Sequence, residues 1–325
     1  MRTLVTGSNG FLGHFLVKKL VEEGHRVDCL VRPDADTSAL AGLGARRIIG
    51  DVTSPASLRE ALEGVETVFH LAGIRRATHR DAFMEVNAQG TRNVCEAMLA
   101  TTSARRLVLA GSLAAMGPST PERPHAEEDP MRPTEWYGES KAEAERIAFG
   151  YGERLQVSVV RPPRILGPRD RENLAFFRLV SNGWMLELED GPRPLSMVDV
   201  RDVVDLMVLC ATRDAAVGEA FFATSSRVIT LEELQEICAA ALRRDVRRVS
   251  LKPRTLRALA RVADVASRVS GRKLPLNRKL ARQLVAPAWT CSGKKAEVTL
   301  GFVARRDLEA SVRESVSWYR DHAWL

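Results

Sequence analysis

The sequence predicts an α/β protein, a doubly wound parallel sheet with a smaller, mostly helical C-terminal lobe. Apolar, β-branched-rich runs alternate with amphipathic helical patterns through the first half of the chain. The glycine turn "TGSNGFLG", residues 6–13, joins the first such run to the first helix. After Arg161 the alternation breaks down. Strands alternating with helices imply right-handed crossovers and a parallel sheet covered on both faces.

In chain order, strands are expected at Thr3–Thr6, Arg26–Val31, Arg47–Ile49, Thr67–Leu71, Arg106–Ala110 and Val157–Val160. Helices are expected at Phe11–Glu23, Pro55–Glu63, Asp81–Ala100 and Tyr137–Tyr151. In the first of them, Phe11, Leu12, Phe15, Leu16 and Leu20 fall on one side, with Lys18, Lys19, Glu22 and Glu23 on the other, until Gly24. Ser54-Pro55 reads as a helix start, a capping hydroxyl followed by proline at the first helical position. "RPPRILGPRDREN", from Arg161, is too rich in proline and arginine for regular structure and is expected to be loop. Helical patterns at Leu231–Arg243 and Arg254–Val269 belong to the lobe, which should close over the carboxyl ends of the strands, where open α/β sheets bind ligands.

The 325 residues are 45% hydrophobic and 27% charged, an ordinary globular composition with room for a large core. Met1-Arg2-Thr3 leads straight into the glycine turn, which leaves no room for a signal peptide, and no apolar run is long enough to span a bilayer. The five cysteines have no paired spacing. A cytoplasmic protein without a metal is the expectation. Of the net charge of +7, residues 251–282 alone carry ten Lys/Arg against Asp264. The rest of the chain is close to neutral.

Gly7, Gly10 and Gly13 give the spacing G-x-x-G-x-x-G, whereas the widespread dinucleotide fingerprint is G-x-G-x-x-G. Glycines admit a pyrophosphate close to the backbone, and the helix end that follows offers N–H groups and a positive dipole. A ligand-free strand-to-helix turn is the plainer alternative. At the end of the second strand, "CLVRPD" offers Arg32 where an acidic residue would hold the ribose hydroxyls of NAD. A guanidinium suits a 2′-phosphate, so NADP(H) is favoured, while Asp34 and Asp36 keep NAD(H) open. Asp51 is placed to accept from the adenine amino group or, more simply, to cap a helix.

"WYGESKAE" sets Tyr137 four residues before Lys141, on one face of a helix. An adjacent ammonium favours the phenolate, which fits a tyrosine for general acid/base work on a ketone/alcohol pair. Ser112, in "LVLAGSLAAMG", arrives at the same sheet edge, where a hydroxyl can bond a substrate oxygen. Alone, each feature also fits a helix surface or a turn.

Together with "DVTS", "VFHLAG", "NAQGTRNV", "YGESK", "RPPRILGP", "MVDVRDVV" and the tail "SGKKAEVTLGF…WYRDHAWL", these motifs resemble the extended short-chain dehydrogenase/reductase, or NAD-dependent epimerase/dehydratase, family. The resemblance is nearest in character to its 3β-hydroxysteroid dehydrogenase/dihydroflavonol reductase branch, and weakest between about 243 and 289. It implies a Rossmann-type dinucleotide-binding domain over 1–162, joined by about 196–226, and a substrate lobe from 163–195 and 227–325. Backbone N–H groups around Asn9, Gly10, Phe11 and Leu12 would hold the pyrophosphate. Asp51 and Val52 would flank adenine, while Leu71, Ala72, Gly73 and Pro162 would line the nicotinamide side. Asn87 would order the network there, Lys141 would hold the nicotinamide ribose and tune Tyr137, and Ser112 would polarise the carbonyl. His70 would be structural, and the family favours a homodimer.

Sugar-nucleotide dehydratases of this family carry acids just after the Ser112 position, where this chain has Leu113 and Ala114, so dehydration is not expected. "SLAAMGPST" and Trp136 give an apolar setting that fits a lipophilic ketone or secondary alcohol, unless those residues simply pack the core. An NADP-preferring reductase is the expectation. A nucleotide-sugar epimerase retaining NAD, and a non-catalytic cofactor-binding protein, are the alternatives. The basic segment 252–282 would place Arg257, Arg261 and Arg268 on one helical face and Leu259, Ala263, Ala266 and Val269 around another. It reads as a peripheral membrane contact, a site for a diphosphate or acyl carrier, or a solvated face. With no aromatic residue in it to stack on bases, nucleic acid is not an expected partner.

Overall fold

The computed structural model describes residues 1–270 and 276–325, the last three of the first span by backbone alone. Seven parallel strands form the main sheet in the order β10-β6-β5-β4-β1-β2-β3. They are β1 (Arg2–Thr6), β2 (Arg26–Val31), β3 (Arg46–Ile49), β4 (Thr67–His70), β5 (Arg106–Ala110), β6 (Gln156–Arg161) and β10 (Ala220–Phe222). β1 pairs with β2 on one side and with β4 on the other, Thr6 lying beside both Leu30 and His70. The chain therefore reverses winding direction between β1 and β4. The loops leaving those two strands flank the crevice where open α/β sheets take ligands.

Both faces are covered. On one, α1 (Phe11–Glu22) and α7 (Val200–Thr212) bury Leu16, Leu20, Val203 and Met207. On the other, α2 (Pro55–Ala61) and α4 (Gly90–Leu99), with the loops beside them, bury Leu58, Leu62, Val94 and Met98. Each such side chain contributes roughly 2 kcal/mol of apolar transfer. α3 (Arg80–Phe83) runs into α4 through a π-helical turn, Met84–Gln89, so the helix expected over Asp81–Ala100 is one element with a widened middle. Such turns favour functional positions, and this one carries Asn87. α5 (Trp136–Phe149) completes that face.

Beyond β6 the chain builds a second core. α6 (Leu174–Ser181), α8 (Leu231–Leu242) and α12 (Leu308–Asp321) bury Phe177, Leu234, Val312 and Tyr319, and the Tyr319 hydroxyl donates to Asp170 O at 2.6 Å. Two small sheets stand among these helices. β7 (Arg164–Leu166) and β11 (Val228–Thr230) flank β9 (Pro194–Asp199), and β12 (Arg247–Leu251) pairs with β8 (Trp184–Leu188). α9 (Pro253–Ser270), α10 (Arg278–Val285) and α11 (Lys294–Leu300) finish the lobe. Arg268, Val269, Arg272 and Lys273 of the basic segment lie outside the residues whose side chains are described.

Two local expectations are corrected. "RPPRILGPRDREN" is not all loop: Arg164–Leu166 forms β7, because its backbone finds a parallel partner in β9. Ser54 occupies the N-cap position of α2 but makes no side-chain capping bond. Ser57 ties the turn instead, its hydroxyl accepting from Asp51 N at 3.0 Å.

Candidate active site

The glycine turn is dictated by packing on both sides. Gly7 has φ +68°, and a Cβ there would lie 2.7 Å from Ala72 N and 2.8 Å from the Leu71 carbonyl carbon. At Gly13 a Cβ would meet Gly7 O at 2.2 Å, so the start of α1 sits directly on the turn. Gly10 is exposed at the helix N-cap, no side chain caps α1, and its first turn holds no acid. The first N–H groups and the positive dipole end are thus left for an anion. Phe11 and Leu12 are half-buried there.

Asn9 points sideways, its amide donating to Asp36 O at 3.1 Å, which holds the loop after β2 against the turn. Arg32 begins that loop with its side chain 60% exposed and its Nε 3.7 Å from Asp34. Asp51 is half-buried, its Oδ1 accepting from both N and Oγ1 of Thr53 at 2.8 Å; it closes its own turn and does not cap α2. Val52 is buried, and its carbonyl accepts from the Asn93 amide at 2.8 Å.

A buried chain of hydrogen bonds links the two strand ends to the π-helical turn. Ala72 N donates to Thr6 Oγ1 at 3.1 Å, and that hydroxyl lies 2.7 Å from His70 Nδ1. His70 Nε2 lies 3.1 Å from Thr91 Oγ1, whose own proton goes to Asn87 O at 2.7 Å. With that proton committed, Thr91 accepts from His70, so the imidazole is neutral with hydrogen on Nε2 and accepts from Thr6 at Nδ1. Full burial, and secondarily the Lys141 ammonium, push His70 down to about 3. It is a structural residue.

Asn87 then fixes the loop after β4. Its Oδ1 accepts from Ile74 N at 2.7 Å, and its Nδ2 donates to Ile74 O at 3.0 Å and to Ser140 Oγ at 2.8 Å. Leu71 is held by its N–H on Thr6 O at 3.2 Å. Gly73 sits where a Cβ would be 3.0 Å from Asn87 Oδ1 and 3.7 Å from Lys141 Nζ.

Tyr137 and Lys141 are both buried on α5. The helix is set against the turn after β5 by Gly138, where a Cβ would lie 2.3 Å from Ala114 O. It is anchored to β6 by the buried pair Glu145–Arg161 at 2.8 Å. The Lys141 ammonium donates to Ala110 O at 2.6 Å, at the end of β5. Ser112, two residues on, caps a short 3-10 turn, its Oγ accepting from Ala114 N at 3.2 Å. That leaves the hydroxyl proton free to donate. The buried Pro162 carbonyl accepts from Leu113 N at 3.0 Å, tying the end of β6 to the same turn. Ser112, Tyr137, Lys141, Gly73 and Asn87 are therefore gathered around the strand ends by contacts that run from one to the next. Arg32 and Asp51 stand apart, at the β2–β3 side of the crevice.

A dinucleotide fits this arrangement. The turn gives an uncapped helix end, Arg32 is exposed at the end of β2, and Lys141 and Ser112 lie at the end of β5.

Two features were not legible in the sequence. Arg75 and Lys279 flank the Tyr137 ring, with Arg75 Cζ at 5.4 Å and Lys279 Nζ at 5.3 Å from its centre. Lys279 comes from α10, which the unbroken basic pattern gave no reason to place there. The apolar setting read from "SLAAMG" is corrected. Leu113 and Met116 are buried against Phe222 and Cys291, so they pack the core, while Trp136, next to Tyr137 in the chain, is 46% exposed.

A doubly wound parallel sheet with a glycine turn after its first strand is the architecture of dinucleotide-binding proteins. Residues 3–222 match the NAD dependent epimerase/dehydratase family, and the chain belongs to that family. It is 28% identical to sterol demethylase protein B of Methylococcus capsulatus over 335 residues, covering 100% of both chains. It is 27% identical to the ceramide reductase of Caulobacter vibrioides over 322 residues, covering 99% of this chain and 95% of that one. The crystal structure of gox2253 superposes with a TM-score of 0.84 at 27% identity, over 100% of this chain and 99% of that chain. The protein is an NAD(P)-dependent oxidoreductase of the family. No helix among the described residues is long and apolar enough to cross a membrane.

Proposed function

We propose that the protein is an NADP-preferring reductase, or the reverse dehydrogenase, of a lipophilic ketone/secondary alcohol pair, with the second core as its substrate lobe. The observation that carries this reading is Tyr137 on α5, held beside Ser112 and Lys141 by the Gly138–Ala114 contact. The uncapped end of α1 at Asn9–Gly13 would hold the pyrophosphate, and Arg32 would pair with a 2′-phosphate. Asp51 and Val52 would border adenine, and Leu71, Ala72, Gly73 and Pro162 the nicotinamide. The bound cofactor would supply or accept a hydride. Ser112 donates its free proton to the substrate oxygen, Tyr137 gives or takes the proton at that oxygen, and Lys141 leaves Ala110 O to bond the ribose. Asn87 holds the Gly73–Ile74 backbone in place. Leu113 and Ala114 offer no group for the proton removal of a dehydratase.

The lipophilic substrate is supported by exposed Trp136 and by two relatives whose names refer to a sterol and to ceramide. α9 supports a membrane-surface partner. Leu256 and Ala260 face inward, while Leu259, Val262 and Val265 are exposed at 46%, 66% and 55%. Arg254, Arg257 and Arg261 line the adjoining arc. The direct test follows absorbance at 340 nm with NADPH and NADH across a panel of apolar ketones and aldehydes. Net NADPH oxidation supports the reductase; no oxidation, with cofactor retained through purification, would favour a nucleotide-sugar epimerase.

A further inference from the structure

Resting on that reading, we propose that Arg75 and Lys279 form an anion clamp on the catalytic tyrosine, so that the substrate is a lipophilic ketone with an anionic group close to its carbonyl. Arg75 lies in the loop after β4 and Lys279 on α10 of the lobe, and they reach the same ring from different parts of the chain. The two are joined, Lys279 Nζ donating to Arg75 O at 3.1 Å. α10 is locked onto the start of α5 by two further bonds, Arg282 to Thr134 O at 2.8 Å and Gln283 to Glu135 Oε1 at 2.8 Å.

Each cation has an acid within 4 Å, and among the described residues neither makes a hydrogen bond to it. Glu172 lies 4.0 Å from Arg75 and is shared with Arg76 at 3.3 Å; Glu135 lies 3.6 Å from Lys279. With Arg164 and Asp170, which belong to the same cluster, four cations (Arg75, Arg76, Arg164 and Lys279) face three carboxylates (Glu135, Asp170 and Glu172). Arg75 and Lys279 keep 54% and 41% of their side chains exposed. An anionic oxygen sits ~2.8 Å from such a donor, which keeps it within about 8 Å of the ring centre at Lys279 and about 10 Å at Arg75, whose nitrogens lie beyond Cζ. An anion held there sits beside the tyrosine ring, which suits a group a few bonds from the carbonyl better than one at the far end of a long chain. An apolar body beside Trp136 and an anion between Arg75 and Lys279 together describe an amphiphile such as a keto acid.

The test compares 3-oxodecanoate with its methyl ester, a neutral ketone of the same length, in the wild type, in Arg75→Gln/Lys279→Gln and in Arg75→Lys. The wild type should favour the acid in kcat/KM by about tenfold or more, carried by KM. The double variant should bring the ratio to near one, and Arg75→Lys should restore part of it. Titration calorimetry gives a reading without turnover: decanoate should bind more tightly than 1-decanol, and the double variant should remove the difference. An acid-to-ester ratio unchanged by the double variant would overturn the clamp while leaving the reductase intact. So would a loss of NADPH affinity in that variant, or tight binding of UDP that the variant abolishes, since either gives the cations to a different phosphate. If neither compound is reduced with either cofactor while decanoate still binds through the two cations, the reductase reading fails and the clamp stands.

Discussion

Asn87 and Ser140 are joined across 53 positions of sequence, the Asn87 amide donating to the Ser140 hydroxyl at 2.8 Å, and Ser140 donates in turn to Tyr137 O at 2.8 Å. One amide on a π-helical turn therefore couples the loop after β4 to the helix that carries the tyrosine. Replacing it by Ala orphans the Ile74 N–H and carbonyl and one partner of Ser140. Asn87→Ala should cost on the order of 2–4 kcal/mol, measured by urea unfolding. A loss below 0.5 kcal/mol would show that water replaces the amide without penalty, against the buried setting.

His70 sets a pH dependence. Its folded-state value, about 3, lies below the ordinary 6.5. Above pH 6.5 both states are neutral and the residue adds no slope. Below it the unfolded chain takes up a proton that the buried imidazole refuses, so stability falls with pH, by up to ~1.4 kcal/mol per unit between 6.5 and 3. Unfolding midpoints from pH 7 to 4.5 should show this slope in the wild type and a shallower one in His70→Asn. Equal slopes would mean that His70 protonates in place.

The proposed pairing of Arg32 with a 2′-phosphate makes a prediction about cofactor choice. Because its guanidinium is exposed and only loosely paired with Asp34, Arg32→Ala should lower the NADPH-to-NADH ratio of kcat/KM about tenfold or more. The NADH rate itself should change little. A ratio that stays constant would assign the 2′-phosphate to other residues, or to none.

The outward face of α9 predicts binding to anionic membranes. Co-sedimentation with vesicles of phosphatidylcholine and phosphatidylserine should exceed that with phosphatidylcholine alone and weaken with salt. Val262→Glu and the pair Arg257→Glu/Arg261→Glu should each reduce it. Binding that ignores both changes would leave α9 a solvated helix.

The main sheet was legible because its inner strands are buried on both faces and announce themselves as apolar runs; β2 and β5 coincide with the stretches expected from the sequence. Gly7, Gly13, Tyr137 and Lys141 were legible from spacing. Asn87 came from family resemblance, and the hydrogen bonds that give it a task are long-range and leave no local pattern. Strand β7 was hidden for a related reason: a three-residue strand is made by its partner, β9, more than by its own prolines and arginines. The clamp on Tyr137 was invisible because Arg75 and Lys279 are separated by 204 positions and meet only when α10 folds back over α5. The apolar "SLAAMG" misled because apolar residues near a site also build the core beneath it.

The central claim rests on the phenol of Tyr137. The most direct measurement is Tyr137→Phe, with NADPH oxidation followed at 340 nm on a ketone that the wild type reduces and cofactor affinity measured on the same preparation. Turnover should fall by at least about a hundredfold while NADPH affinity stays within a factor of about three, because only the proton-transferring oxygen is lost. Turnover at the wild-type rate would contradict the assignment and remove Tyr137 from the chemistry.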